Sequence, residues 1–187
     1  MTEPTNSERF RALALPHLDA AYNLARWLTR NDHDAEDLVQ EAFLRAYAAF
    51  DGFRGDSARP WLLAIVRNAC FDWLREHRKE ELQVSYDDDI AIDESCAGFA
   101  GMSMNATEPE RALTRADERR AVNEALAKLP PAFREVVLLR DIEELSYREI
   151  ADIAAIPIGT VMSRLARARK LLHAQLASLR SGETRGL

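Results

Sequence analysis

Between Ile158 and His173 the sequence IGTVMSRLARARKLLH carries four basic residues and no acidic one. At a helical period, Val161, Leu165, Ala168 and Leu172 share one face. Thr160, Ser163, Arg164 and Arg167 fall on the other, extended by Arg169 and Lys170. Those outward side chains suit a nucleic acid. An arginine can bridge guanine O6 and N7, which discriminates against wrong bases by roughly 1–3 kcal/mol. Ser163 and Thr160 can donate to bases or phosphates, while Arg169 and Lys170 are better placed for backbone charge. A solvated basic face on an ordinary helical hairpin has the same composition, so the surrounding elements must decide.

To reach a major groove such a helix needs a supporting helix at a fixed angle. Ser146-Tyr147-Arg148-Glu149 has the capping-box pattern that opens one. Ile150, Ala151 and Ala154 are apolar where inward contacts are needed, and Ala151 is small enough for close approach. Ala155-Ile156-Pro157 makes the turn. The pair reads as a helix-turn-helix. Pro130-Pro131 ends a preceding helix near Leu129 and begins another that runs to about Arg140. Thr107-Glu108-Pro109-Glu110 is a further capping box.

Upstream, apolar spacing predicts helices from Leu18 through Ala21, Tyr22, Ala25 and Leu28, and again through Ala35, Leu38, Val39, Ala42, Phe43, Ala46, Tyr47 and Phe50. Asn31-Asp32-His33-Asp34 supplies N-cap candidates between them. The segment FDGFRGDSARP (Phe50–Pro60) reads as a loop. A third helix follows from about Trp61 to Lys79, with Leu62, Ile65, Val66, Ala69 and Trp73 on one face. No run alternates with period two for long enough to predict a strand.

The 187 residues are 47% hydrophobic, enough for a packed core, and the net charge is -6. That charge is unevenly placed. Residues 1–79 carry 11 basic and 12 acidic side chains, residues 80–110 carry none and 9, and residues 111–187 carry 14 and 10. The excess negative charge is therefore confined to one aperiodic segment, which reads as a linker. No apolar signal segment or membrane-length stretch is evident. Cys70 and Cys96 have no metal-like spacing, and they fit reduced bystanders in a cytoplasmic protein. The chain thus reads as an all-α protein of two small helical domains joined by an acidic flexible linker, the C-terminal one a helix-turn-helix. The boundaries fall at 10–79, 80–107 and 108–176.

Three stretches taken together go further: DAEDLVQEAFLRAY (Asp34–Tyr47), FRGDSARPWLLAIVRNACFDWLREHRK (Phe53–Lys79) and LPPAFREVVLLRDIEELSYREIADIAAIPIGTVMSRLARAR (Leu129–Arg169). In this order and spacing the chain resembles the small extracytoplasmic-function group of bacterial sigma factors. The resemblance implies an alternative sigma factor that binds core RNA polymerase and promoter DNA and is held inactive by an anti-sigma partner. It implies that Glu36–Ala49 docks on the polymerase clamp through Asp37, Gln40, Glu41 and Arg45, although an acidic solvated face would look the same. It implies a role at the melted -10 strand for Phe53 and Arg54 in the loop and for Arg67, Asn68, Arg75, Arg78 and Lys79 on the helix. Trp61 and Trp73 read as core rather than as stacking platforms. The -35 element would meet Thr160, Ser163, Arg164, Arg167, Arg169 and Lys170, together with Arg148. Nine carboxylates without a cation suit a nucleic-acid mimic or a plain tether equally. Met162, where many relatives carry a basic residue, and Ala166, where some carry a large one, depart from the family pattern.

Catalysis finds no support: His17, His33, His77 and His173 are scattered and no Gly-rich phosphate loop occurs. No cofactor or metal is expected. The other reading is a self-standing dimeric helix-turn-helix regulator, which would bind duplex DNA without polymerase and give the Glu36–Ala49 helix no role.

Overall fold

A computed structural model describes residues 5–55, 57–77 and 109–183, with side chains described from 119 to 178 in the last of these. Among the described residues every element is helical. The N-terminal unit comprises α1 (Asn6–Ala14), a 3-10 turn (Leu15–His17), α2 (Leu18–Thr29), α3 (Asp32–Ala49), a second 3-10 turn (Phe50–Gly52) and α4 (Ala58–His77). The C-terminal unit comprises α5 (Pro109–Lys128), α6 (Pro131–Val137), a π-helical turn (Leu138–Ile142), α7 (Tyr147–Ala154) and α8 (Ile158–Glu183). The acidic segment 80–107, the Thr107 capping box and the residues Arg78 and Lys79 lie outside the described residues.

Local chemistry sets the boundaries. Asn31 caps α3, its side-chain oxygen accepting from the backbone N–H groups of His33 and Asp34. Ser146 and Glu149 close the expected capping box on α7: Glu149 N–H donates to Ser146 Oγ at 3.2 Å, and Ser146 N–H donates back to Glu149 Oε2 at 2.8 Å. The Ser146 hydroxyl, which also donates to Glu149 Oε2 at 2.7 Å, and the Ser146 N–H together hold the Glu149 carboxyl below its ordinary range. The same reciprocal cap formed by Thr5 and Glu8 begins α1, a helix that the apolar spacing gives no sign of.

In the N-terminal unit α2, α3 and α4 pack on one another, burying Ala21, Leu24, Ala25 and Leu28 against Ala35, Leu38, Val39 and Ala42. The buried side of α4 is wider than its sequence stripe: Leu62, Leu63, Val66, Ala69, Cys70 and Leu74 are all buried, while Ile65 and Trp73 are half-buried. The reason is that α4 is covered twice, by α2 and α3 of its own unit and by α7 of the other. Tyr47, expected in the core stripe, is 45% exposed and rests edge-on against Phe10.

The helix-turn-helix is built as its pattern requires. Ile150, Ala151, Ile153 and Ala154 of α7 are buried, as are Val161, Leu165, Ala168 and Leu172 of α8. Ala155 turns the chain with φ 53°, its left-handed conformation ending α7. Glu144, in the turn before α7, also sits at φ 56°. There Arg140 donates to Leu145 O at 2.8 Å and stacks on the Tyr147 ring. A side chain with Cβ is disfavoured at positive φ. Glu144→Gly is therefore expected to raise stability by about 0.5–1 kcal/mol, read as an upward shift in thermal midpoint. A lowered midpoint would show that Glu144 holds the turn by contacts its backbone angle does not reveal.

Candidate nucleic-acid interface

On α8 the apolar and basic faces separate, but the basic residues do not share one environment. Arg167 is half-buried and Lys170 is exposed. Arg169 donates to Asp141 at 2.6 Å, in a pair whose side chains are 15% and 13% exposed. That guanidinium is thus tied to the π-helical turn. Ser163 Oγ donates to Thr160 O at 3.1 Å within the first turns of the helix. Arg148, on α7, is exposed. Ile158 and Met162, one turn apart, are 46% and 41% exposed, so the start of α8 offers an apolar edge beside its polar one. The sequence reading gave Ile158 no role. A helix start that enters a groove can use apolar contact with a thymine methyl as well as hydrogen bonds.

Arg164 behaves differently. It turns inward, its Nε buried, toward Glu135 on α6, and its positive charge favours the ionised form of that carboxylate. Glu135 is completely buried. Burial pushes its pKa up, and Arg67 and Arg164 oppose the rise. Arg164 therefore positions α8 on α6 as much as it offers a donor to DNA.

In the N-terminal unit the loop after α3 is organised by aromatic contacts. Phe53 lies over Trp61 with ring centroids 4.7 Å apart and stacks beside Phe50 at 6.1 Å. A Cβ added at Gly55 would meet the Phe53 ring at 3.0 Å, so glycine lets the loop close on that ring. Arg54 is exposed and donates to Asp51 O at 3.3 Å. Trp61 is half-buried, and Trp73 is half-buried and stacked on the His77 ring. Along α4, Asn68 is exposed and Arg75 is exposed beside Asp72, its donor distance 2.8 Å. Arg67 stacks on Phe71 and donates to Asn68 Oδ1 at 3.2 Å and to Glu135 at 2.7 Å. It is only 17% exposed. Arg67 and Arg164, assigned to different DNA elements, thus both act on one carboxylate.

The outward face of α3 carries Asp37, Gln40, Glu41 and Arg45, all exposed, with Arg45 paired to Glu41 one turn back. Leu44 sits among them and is 71% exposed, a residue the sequence reading did not single out. Among the described residues there is no group of three His, Cys, Asp or Glu that could hold a metal ion. No helix among them is long and apolar enough to cross a membrane.

Two helical units, one ending in a helix-turn-helix with a basic second helix, define a DNA-binding protein with a second surface to explain. Comparison with known proteins supplies the class. Residues 13–80 match the family model for Sigma-70 region 2, and residues 119–172 match that for Sigma-70, region 4. The chain is 34% identical over 168 residues to the ECF RNA polymerase sigma factor SigW of Bacillus subtilis, covering 86% of this chain and 85% of SigW. It is 35% identical over 147 residues to the ECF RNA polymerase sigma-E factor of Escherichia coli K12, covering 78% and 75% of the two chains. Its fold is similar to that of the sigma factor RpoE, solved in complex with the anti-sigma factor NepR from Bartonella quintana, with TM-score 0.66, 27% identity and coverage of 90% and 97%. It is also similar to CnrH, solved with the cytosolic domain of CnrY, with TM-score 0.62, 26% identity and coverage of 92% and 90%. The chain belongs to the extracytoplasmic-function group of sigma-70 family sigma factors. It is an alternative sigma factor, a DNA-binding protein that directs transcription initiation by RNA polymerase.

The two arginines of α8 should separate experimentally. Removing a cation that offsets a buried carboxylate leaves that charge less well compensated, a cost below the roughly 3–5 kcal/mol of stripping a fully buried charge of its partner. Arg164 is only half-buried, so Arg164→Ala is expected to lower unfolding free energy by about 2 kcal/mol, whereas Arg167→Ala stays within about 0.5 kcal/mol of wild type. Denaturant melts of the two variants check this; equal midpoints would show that Arg164 does not hold α8 to α6.

Proposed function

We propose that this sigma factor divides promoter recognition between its two units. Residues 108–176 present the start of α8 to the major groove of the -35 element, with Thr160, Ser163 and Arg167 toward base edges. Lys170, Arg169 and Arg148 lie nearer the phosphates, and Arg164 contributes from its anchored position. Residues 10–79 hold the melted -10 strand. Phe53 and Arg54 sit in the loop there, with Arg67, Asn68 and Arg75 along α4 and Arg78 and Lys79 next in the sequence. Aromatic and basic side chains around an unstacked strand are what single-strand binding needs. Opening is driven by binding, because the opened strand gains contacts that the duplex cannot make. The protein acts in the cytoplasm without catalysis of its own.

The outward face of α3 is the observation that carries the polymerase assignment. A leucine 71% exposed and ringed by Asp37, Gln40, Glu41 and Arg45 has the anatomy of an interface, an apolar centre within a polar rim. A self-standing duplex-binding regulator has no use for such a face. The solved neighbours RpoE and CnrH are complexes with NepR and with the CnrY cytosolic domain. That supports control of this chain by an anti-sigma protein.

Reversing charge at Asp37 and Glu41 together is expected to weaken binding to core polymerase at least tenfold, a loss of about 1.4 kcal/mol. Thermal stability should stay unchanged, since both side chains are exposed. Affinity equal to wild type in the double variant would reject the docking assignment. In the same assembly, Arg167→Ala is expected to cost about 1–3 kcal/mol at the -35 site and to relax base preference there. An unchanged selection profile would remove α8 from base readout.

A further inference from the structure

Helix α1 stands apart from the core that holds the rest of its unit together. The main buried cluster draws on α2, α3, α4 and the second unit, and it takes no residue from α1. Ala14 belongs instead to a second, smaller cluster with Ala46 near the end of α3 and Leu62 near the start of α4. Phe10, Phe43, Trp61 and Ile65 pack against that cluster. Those two helix ends flank the loop that carries Phe53 and Arg54. Most of α1 also precedes residues 13–80, so the match to Sigma-70 region 2 assigns it no role.

Three contacts tie α1 to the residues on which the loop is built. Phe10 meets the Phe50 ring edge-on with centroids 5.3 Å apart, and meets Tyr47 in the same way at 5.2 Å. Arg9 places its guanidinium carbon 5.8 Å from the centre of the Phe50 ring. The Asn6 side-chain amide donates to the Asp51 carboxylate. Edge-to-face rings and a cation over a ring are directional attractions, so they fix where Phe50 sits and not only that it is buried. The next link runs outward. Phe53 stacks beside Phe50 with an interplanar angle of 13°, and Arg54 donates to the carbonyl of Asp51. Each loop residue assigned to the -10 strand therefore rests on a neighbour that α1 holds.

We propose that α1 is a brace for this loop, with Phe10 and Asn6 as positioning residues that set Phe53 and Arg54 for the melted -10 strand. The inference rests on the reading that the loop meets that strand. Neither Phe10 nor Asn6 touches DNA; they act through Phe50 and Asp51. A loop held in its binding geometry beforehand loses less freedom when the strand arrives. The gain goes to the strand that fits that geometry, so α1 contributes base selectivity at the -10 element more than affinity at large.

The protein assembled with core polymerase tests this on a promoter library randomised at both elements. The -35 element, read by the other unit, serves as an internal reference. Asn6→Ala removes one hydrogen bond, Phe10→Ala removes the ring, and the main core contains neither residue. The double variant is expected to form as much holoenzyme as wild type and to keep its -35 preference. The ratio of favoured to disfavoured bases at the -10 element should fall roughly three- to tenfold. Phe10→Tyr, which keeps the ring and its edge, should retain the wild-type profile at both elements. An unchanged -10 profile in the double alanine variant would overturn the brace. So would an equal loss at both elements or a matching loss of assembled holoenzyme, because a merely unstable unit fails in those ways. Phe53→Ala with Arg54→Ala in the same assay checks the underlying reading by itself. A -10 profile that survives their removal means that the loop does not read the strand, and the proposal falls with that reading.

Discussion

A carboxylate with no exposure to water constrains everything around it. Glu135 stands at the middle of α6, and burial alone would make its charge cost several kcal/mol. It is answered by Arg67 from α4 and by Arg164 from α8. Its neighbour Arg134, equally buried, donates to the carbonyls of Leu126, Ala127 and Leu129 at the end of α5 and to Trp27 of α2. Cations suit the C-terminal ends of helices, where backbone carbonyls lack partners. Two adjacent charges of opposite sign on a helix of seven residues thus fix α5, α8, α2 and α4 around it.

Function follows from how these anchors leave the other side chains. With Arg164 drawn inward and Val161, Leu165 and Ala168 buried, the rotation of α8 about its own axis is set. The remaining polar and apolar residues at its start face outward. The helix α3 has the converse arrangement: its inner stripe enters the N-terminal core, and Leu44 is left exposed among the polar and acidic residues of the outer face. One chain therefore carries a DNA-facing helix and a protein-facing helix on separate units, as a factor that bridges promoter and polymerase requires.

Much of this was legible in the sequence because it is local. Capping at Asn31 and Ser146, the proline stop after Leu129, and the four-three-four spacing of α8 all follow from residues within a turn or two of one another. The family resemblance added the assignment of roles, which spacing alone left open between a hairpin, a regulator and an initiation factor. What stayed hidden is long-range. The partner of Arg67 is 68 residues away and that of Arg59 is 84 away, so no periodicity could pair them. For the same reason the double coverage of α4 widened its buried side beyond the stripe read from it. The start of α1 was a different kind of miss, since Thr5 and Glu8 display the capping pattern without any apolar stripe to draw attention to it.

The central claim is that this chain gives RNA polymerase a promoter specificity it otherwise lacks. Transcription of a random promoter library by core polymerase, with and without the protein, tests it directly. The account predicts transcripts that appear only with the protein and share both a -35 and a -10 element. No added transcripts, together with tight binding of some duplex by the protein alone, would contradict it.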